Sequence, residues 1–213
     1  MKLMHVDSSP VGAKSRSRML AAEFVAMLGA RDAHLTVDYL DLAKEAPPHL
    51  TGAFVAATYV GPDERTPEMN ALLAQSNSLC ARLLDADALL FSMPMYNWSM
   101  PSSFKAFIEA IMRPHLTYTI GPDGGIIGHV ARQKLLFVTT RGGDTRPGAP
   151  FEGMDALNPA LRLAFAFIGA TDPHFVDAQP MDFAAPEVCA AALDRARGEL
   201  ASVAEQWVPE AIA

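Results

Sequence analysis

Apolar and polar positions along this chain fall into two alternating rhythms. Residues 2–6 are a short apolar run ending at Asp7 and two serines, which reads as a buried strand entering a turn. From Ser17 the period lengthens. Leu20, Phe24, Met27 and Leu28 stand at i, i+4, i+7 and i+8, one face of a helix that Ser15 or Ser17 would cap. Leu35, Val37 and Tyr39 alternate with polar neighbours as a second strand. The chain then leads away from Asp41 through Pro47 and Pro48, and a loose segment follows to Thr66. Pro67-Glu68 opens a long helix running to about residue 84.

The third strand, 86–93, is apolar without a break, as expected of a central parallel strand buried on both faces. Phe104, Phe107, Ile108 and Ile111 mark the next helix, and residues 113–132 form a turn-rich excursion around Gly121-Pro122-Asp123-Gly124-Gly125. A fourth strand at Leu135-Leu136-Phe137-Val138 follows. Leu157, Leu161, Phe165 and Ile168 then mark a helix, residues 173–179 hold a fifth strand, and the last helix spans about 186–207. Strand and helix alternate five times. This predicts an α/β fold: a flavodoxin-like three-layer sandwich, five parallel strands in order 2-1-3-4-5 with helices on both faces. No linker or repeat divides the chain, so residues 1–213 read as one domain.

That topology places a ligand where the strand order reverses, outside the ends of the first and third strands. The loops there have suitable chemistry. After the first strand, Ser9, Ser15 and Ser17 supply hydroxyls, Arg16 a charge and Gly12 freedom in the turn, beside a helix start whose amides are unpaired. Two of those serines are equally readable as plain helix caps. The segment is neither a Walker A loop nor the GxGxxG of dinucleotide folds, and it lacks the cysteine of a thiol phosphatase. After the third strand comes Pro94-Met95-Tyr96-Asn97-Trp98, in which aromatics, a thioether and an amide suit a flat heteroaromatic ring, though an aromatic core loop reads the same way. After the fourth strand, Thr140-Arg141-Gly142-Gly143 lets backbone amides approach a ligand, or simply turns tightly. Arg141 can serve the ring's electron-rich edge or a carboxylate elsewhere. Taken together, the loops point to a flavin mononucleotide site.

Composition narrows the class. Half the residues are apolar and 19% charged, enough for a substantial core, and the net charge of −7 argues against nucleic acid as the main partner. Cys80 and Cys189 are too few for a disulfide framework, a CxxC pair or a zinc site, and the six histidines show no metal-ligand spacing. The N-terminus has no secretory pattern and no stretch approaches the roughly 20 apolar residues of a membrane span. A soluble protein of the reducing cytoplasm fits.

The three loops together resemble the FMN-dependent NADH-azoreductases, also described as NADH:quinone oxidoreductases. The matching pieces are Ser8-Ser9-Pro10, Ser15-Arg16-Ser17, Met95-Tyr96-Asn97-Trp98, Pro101-Ser102 with Phe104-Lys105, Thr140-Arg141-Gly142-Gly143 and Phe167-Ile168-Gly169-Ala170-Thr171-Asp172, in family order over roughly residues 2 to 180. The resemblance implies that Ser9, Ser15, Arg16 and Ser17 hold the ribityl phosphate. It assigns Met95, Tyr96, Asn97, Trp98, Thr140, Gly142 and Gly143 to the isoalloxazine, with Pro94 and Arg141 as further cofactor-binding candidates in the same loops. It further implies ping-pong hydride transfer from NADH or NADPH to a quinone or azo compound, in a homodimer whose sites are completed by the partner subunit. No side chain need act as nucleophile, because the flavin carries the chemistry. Tyr118, in the excursion, is expected to border the substrate space. Trp98 stands where many relatives carry Phe, Thr140 replaces a frequent Ser, and residues 144–150 depart from the family. A flavodoxin-type carrier without turnover is the alternative, and the chain's length and its excursion weigh against it.

Overall fold

A computed structural model describes residues 1–209. Its main sheet consists of β1 (Lys2–Asp7), β2 (Thr36–Asp41), β3 (Ala88–Pro94), β6 (Lys134–Thr140) and β7 (His174–Ala178), all parallel, in spatial order β2-β1-β3-β6-β7. The excursion contributes β4 (Tyr118–Ile120) and β5 (Ile126–Gly128), a separate antiparallel hairpin. With that hairpin set aside, the order is the 2-1-3-4-5 expected from the sequence.

The register explains why β3 is apolar throughout. It pairs with β1 on one side and β6 on the other, so both its edges and both its faces are covered. Ala88 and Leu90 point into one core, against Leu20, Phe24 and Leu28 of α1 (Arg16–Arg31) and Ala196 and Leu200 of α6 (Pro186–Trp207). Leu89, Phe91 and Met93 point into the other, beneath α3 (Pro67–Asp85), α4 (Ser102–Ile111) and α5 (Leu157–Phe167). Phe91 lies at the centre of that second core, with ring centroids 5.0 to 5.8 Å from Phe104, Phe107, Phe137 and Phe165. Burying a side chain of this size contributes about 1.5–3 kcal/mol each.

Two parts differ from the sequence reading. The segment taken as loose contains α2 (Gly52–Thr58), capped by Thr51, whose hydroxyl accepts from the Phe54 amide. The edge strand β2 buries only Leu40 and Asp41, so its alternating Val37 and Tyr39 remain largely exposed. Gly128 anchors the hairpin against the end of α5. A Cβ there would lie 2.1 Å from the Gly169 nitrogen, so only glycine permits this crossing of backbones.

Candidate functional site

The carboxyl ends of β1, β3, β6 and β7 lie along one edge, and the loops leaving them enclose a two-part cleft. The first part, of about 310 Å³, is bordered by Ser9, Ser15, Arg16, Pro94, Met95, Tyr96, Thr140 and Arg141, with Val11, Lys14, Met181 and Asp182. The second, of about 270 Å³, shares Met95, Arg141 and Gly142 and adds Asn97, Trp98, Gly143, Thr145, Phe151 and Phe183. Loops hundreds of bonds apart in the chain therefore meet at one place.

Local chemistry sets the first end. Ser15 is the N-cap of α1, its hydroxyl accepting from the Arg18 amide at 3.3 Å and lying 3.0 Å from the Ser17 hydroxyl. The capping reading therefore holds for Ser15, which also borders the cleft. Ser17 stands fully buried behind it, outside the cleft lining. The amides of Arg16 and Ser17 donate to no other described residue, as the first turn of a helix requires. Ser9 is buried, and its hydroxyl has no hydrogen-bond partner. A buried hydroxyl without a partner costs about 1–3 kcal/mol, a cost that a bound acceptor would remove. Arg16 reaches Asp182 at 2.7 Å across this end, both side chains well exposed.

At the other end, Tyr96 and Ser99 exchange two backbone hydrogen bonds, of 2.9 and 3.0 Å, around Asn97 and Trp98. Both central residues are left-handed, with φ of 48° and 72°. That costs on the order of 1 kcal/mol or more for a bulky residue such as Trp, a strain found mainly at functional loops. The Met95 amide donates to the Thr140 carbonyl and the Ala156 amide to that of Trp98, which ties this turn to the other loops. The amides of Gly142 and Gly143 donate to no other described residue, while the Gly142 carbonyl accepts from Met181, Asp182 and Phe183.

Of the two readings of Arg141 the carboxylate one holds, and Tyr118 falls elsewhere. The Arg141 side chain is buried and turned into the protein, with Nη2 2.8 Å from Asp155 and Nη1 2.9 Å from Asp177, so its charge serves carboxylates rather than a ring edge. Tyr118 does not border this cleft; it packs edge-on against Phe167, centroids 4.8 Å apart. Lys14, within the serine-rich loop, borders the cleft too, and Met181, Asp182, Phe151 and Phe183 border it without having carried any motif. The only available signal was that 181–183 directly follow a strand end.

The residues present fit a phosphate-bearing ring cofactor: an orphaned buried hydroxyl and free helix-start amides at one end, aromatic walls and free glycine amides at the other. Comparison with known sequences decides the family. The flavodoxin-like fold family profile matches residues 1–203. The chain belongs to this family. It is 38% identical to the FMN-dependent NADH:quinone oxidoreductase of Nostoc sp., over 84% of this chain and 87% of that protein. It is 40% identical to FMN-dependent NADH:quinone oxidoreductase 1 of Trichormus variabilis, over 88% of each chain. Solved azoreductase structures share the fold of this flavodoxin-like protein. The azoreductase from Bacillus anthracis superposes with a TM-score of 0.87 at 23% identity, covering 97% of this chain and 99% of that one. The FMN-dependent NADH-azoreductase from Bacillus anthracis in complex with FMN gives 0.85 at 18% identity, covering 98% and 100%.

Proposed function

We infer that the cleft holds FMN and that the protein is an FMN-dependent NADH oxidoreductase acting on quinones and azo compounds. The observation that carries this reading is the unpartnered Ser9 hydroxyl, which borders one cleft with the free amides starting α1, while Gly142 and Gly143 present free amides at the far end. Ser9, Ser15 and the Arg16 and Ser17 amides hold the phosphate, with the Arg16 side chain at the rim. Met95, Trp98 and Tyr96 flank the ring and Asn97 addresses its polar edge. Pro94 and Thr140 would border the same cofactor, with Arg141 holding the loop through Asp155 and Asp177. Bound there, FMN would supply the two-electron hydride chemistry that links NADH or NADPH to an acceptor in ping-pong turnover.

Trp98, Phe151 and Phe183 border a second compartment that gives a planar acceptor room. A simple electron carrier needs no such space, and the named relatives are oxidoreductases of quinone. The whole chain acts as one FMN-binding domain. A homodimer is supported by apolar side chains left in solvent on the hairpin and its surroundings, among them Ile120 at 69% exposure, Tyr59 at 72% and Leu163 at 74%. Among the described residues no helix is long and apolar enough to cross a membrane. With a net charge of −7, neither nucleic acid nor an anionic membrane is a favoured partner.

Anaerobic rapid mixing of the FMN-loaded protein with NADH tests the reading. Fast loss of the oxidised flavin band, restored by benzoquinone, is expected. Bound flavin that stays oxidised would overturn the reductase assignment, and failure to bind FMN would overturn the site.

A further inference from the structure

We propose that Arg18, which stands outside the cofactor cleft, is the positioning residue for its phosphate end. From behind the loop it fixes the Ser9 main chain, so that the Ser9 hydroxyl and the helix-start amides converge on one phosphate group. The inference rests on the FMN reading above and deepens it.

The geometry is a clasp. Arg18 Nε and Nη2 both donate to the Ser9 carbonyl, at 3.1 and 2.7 Å. Nη1 donates to Tyr39 Oη at 2.8 Å and to Asp7 Oδ2 at 3.3 Å, and Nη2 also reaches Asp41. Tyr39 donates in turn to Asp7 at 2.8 Å, and Asp7 is held by His5 at 3.2 Å and by the Ser92 hydroxyl. One guanidinium therefore ties the loop after β1 to the ends of β1 and β2, and through Ser92 to β3. The Arg18 side chain borders a different groove, of about 560 Å³, on the other side of that loop, with His5, Asp7, Tyr39, Asp41 and Lys44.

Two physical consequences follow. Loops leaving strands are the mobile parts of such folds, and a hydroxyl grips a phosphate only if its backbone is held beforehand. Ser9 has no hydrogen bond from its own hydroxyl to hold it, so the clasp on its carbonyl supplies the restraint. Asp7 and Asp41 also place two carboxylates behind a site built for a dianion, and the Arg18 charge sits between them and the Ser9 carbonyl. Removing it both loosens the loop and uncovers that repulsion. Both effects act on phosphate and neither acts on the ring. Arg16, by contrast, borders the cleft but spends its charge on Asp182 in open solvent, where screening makes such a pair weak.

The test is a pair of titrations of the flavin-free full-length protein, one with FMN and one with riboflavin. The readout is the ratio of the two dissociation constants. Wild type should prefer FMN, and Arg18→Met should lower that preference about tenfold or more, the loss expected for one charge-assisted hydrogen bond. Riboflavin affinity should stay within about twofold, Arg18→Lys should recover part of the ratio, and Arg16→Ala should lower it less than Arg18→Met. In a Ser9→Ala background the Arg18→Met effect should shrink, because the part that works by holding the Ser9 hydroxyl is already lost, while the part due to the uncovered carboxylates remains. Equal losses for both flavins, or an undiminished effect in the Ser9→Ala background, would overturn the proposal. Should Arg18→Met fail to fold, Tyr39→Phe, which removes the phenol oxygen bonded to both Arg18 and Asp7, is read by the same ratio: a fall sustains the proposal and no change overturns it. A wild-type protein that binds the two flavins equally would remove the phosphate site itself, a result distinct from an Arg18 variant that keeps the wild-type preference.

Discussion

Gly143 and Phe151 occupy adjoining space so closely that a Cβ on the glycine would lie 2.4 Å from the ring's Cδ2. The ring therefore lies over bare backbone, where its centroid is 5.6 Å from that of Trp98 and 6.1 Å from that of Phe183. A side chain at 143 would break up this aromatic wall of the second compartment.

Gly143→Ala is accordingly expected to cost about 1–3 kcal/mol of overpacking and to raise KM for an aromatic quinone several-fold. The decisive measurement is the double variant with Phe151→Ala. If the two residues compete for space, the glycine substitution should cost much less once the ring is gone, with a coupling of at least about 0.5 kcal/mol in melting experiments. Additive losses would place the clash elsewhere.

Asn97 carries two roles that a single alanine substitution would confuse. Its φ of 48° lies in the left-handed region, where alanine is strained, and the residue borders the second compartment of the cleft. Asn97→Gly keeps the turn and deletes the amide. FMN affinity should fall about threefold to tenfold, one ordinary hydrogen bond, with the melting temperature nearly unchanged. Asn97→Ala should lose both affinity and stability. Unchanged FMN affinity in Asn97→Gly would remove the amide from the ring contact.

Tyr39 gives a pH signature. Burial of its hydroxyl, with the bond to the Asp7 carboxylate adding to it, pushes the phenol from its usual value near 10 up to about 12. Between those values the unfolded phenol ionises while the folded one keeps its proton. The interaction therefore contributes stability that is complete below pH 10 and lost as pH rises through about 12. Tyr39→Phe should flatten the decline of stability in that window, followed by urea unfolding at stepped pH. Phenolate absorbance of the wild type should show one of the four tyrosines ionising near pH 12. At the acid end, burial alone would raise the Asp7 carboxyl, but the bonds from His5, Ser92 and Tyr39 outweigh it and hold it below its usual value. Its contribution is present above the ordinary carboxylate range and fades as pH falls through the lowered value.

What the sequence reveals follows from how local each signal is. The buried strand β3 is written in neighbouring residues, so periodicity suffices to place it, while residue type narrows the cap of α1 to Ser15 or Ser17 and only the backbone path selects Ser15. The helix α2 has only seven residues, begins at a glycine and buries only Ala57 and Thr58, so it shows no apolar stripe, although Thr51 was a readable cap. Tyr39 looked half-buried because it alternates, yet β2 is an edge strand that no helix covers on that face. Arg141 carried a charge at the right loop, but its direction was set by Asp155 and Asp177, 14 and 36 residues further along. Phe151 and Phe183 reach the cleft only because β6 and β7 are neighbours in the sheet, a relation that no local pattern encodes. Arg18 sat beside the very motif that marks the phosphate site, and only the folded path of β1 and β2 turns it away from the cleft.

Arg113 is a cation held inside the protein. It is completely buried, and its Nη1 donates to Ser76 at 2.5 Å and Asn77 at 3.1 Å, while Nε and Nη2 find no acceptor. Among the described residues no carboxylate pairs with it; its charge lies 5.8 Å from the centroid of the Phe54 ring and is opposed by the like charge of Arg65. Burial accordingly pushes its pKa below the usual guanidinium value. A buried cation without a counter-ion costs several kcal/mol, more than two neutral hydrogen-bond partners and one aromatic face return. Arg113→Met keeps the apolar stem and removes the charge. Its stability should match the wild type or exceed it by about 1–2 kcal/mol, roughly 2–8 °C in melting temperature for a domain of this size. The Ser76 hydroxyl still donates to the Ala110 carbonyl, and Asn77, which loses the Arg113 donor, is partly exposed and can take water in its place. A loss of more than about 3 kcal/mol would mean that the guanidinium is satisfied by ordered water, and that the charge holds α3 against the chain leaving α4.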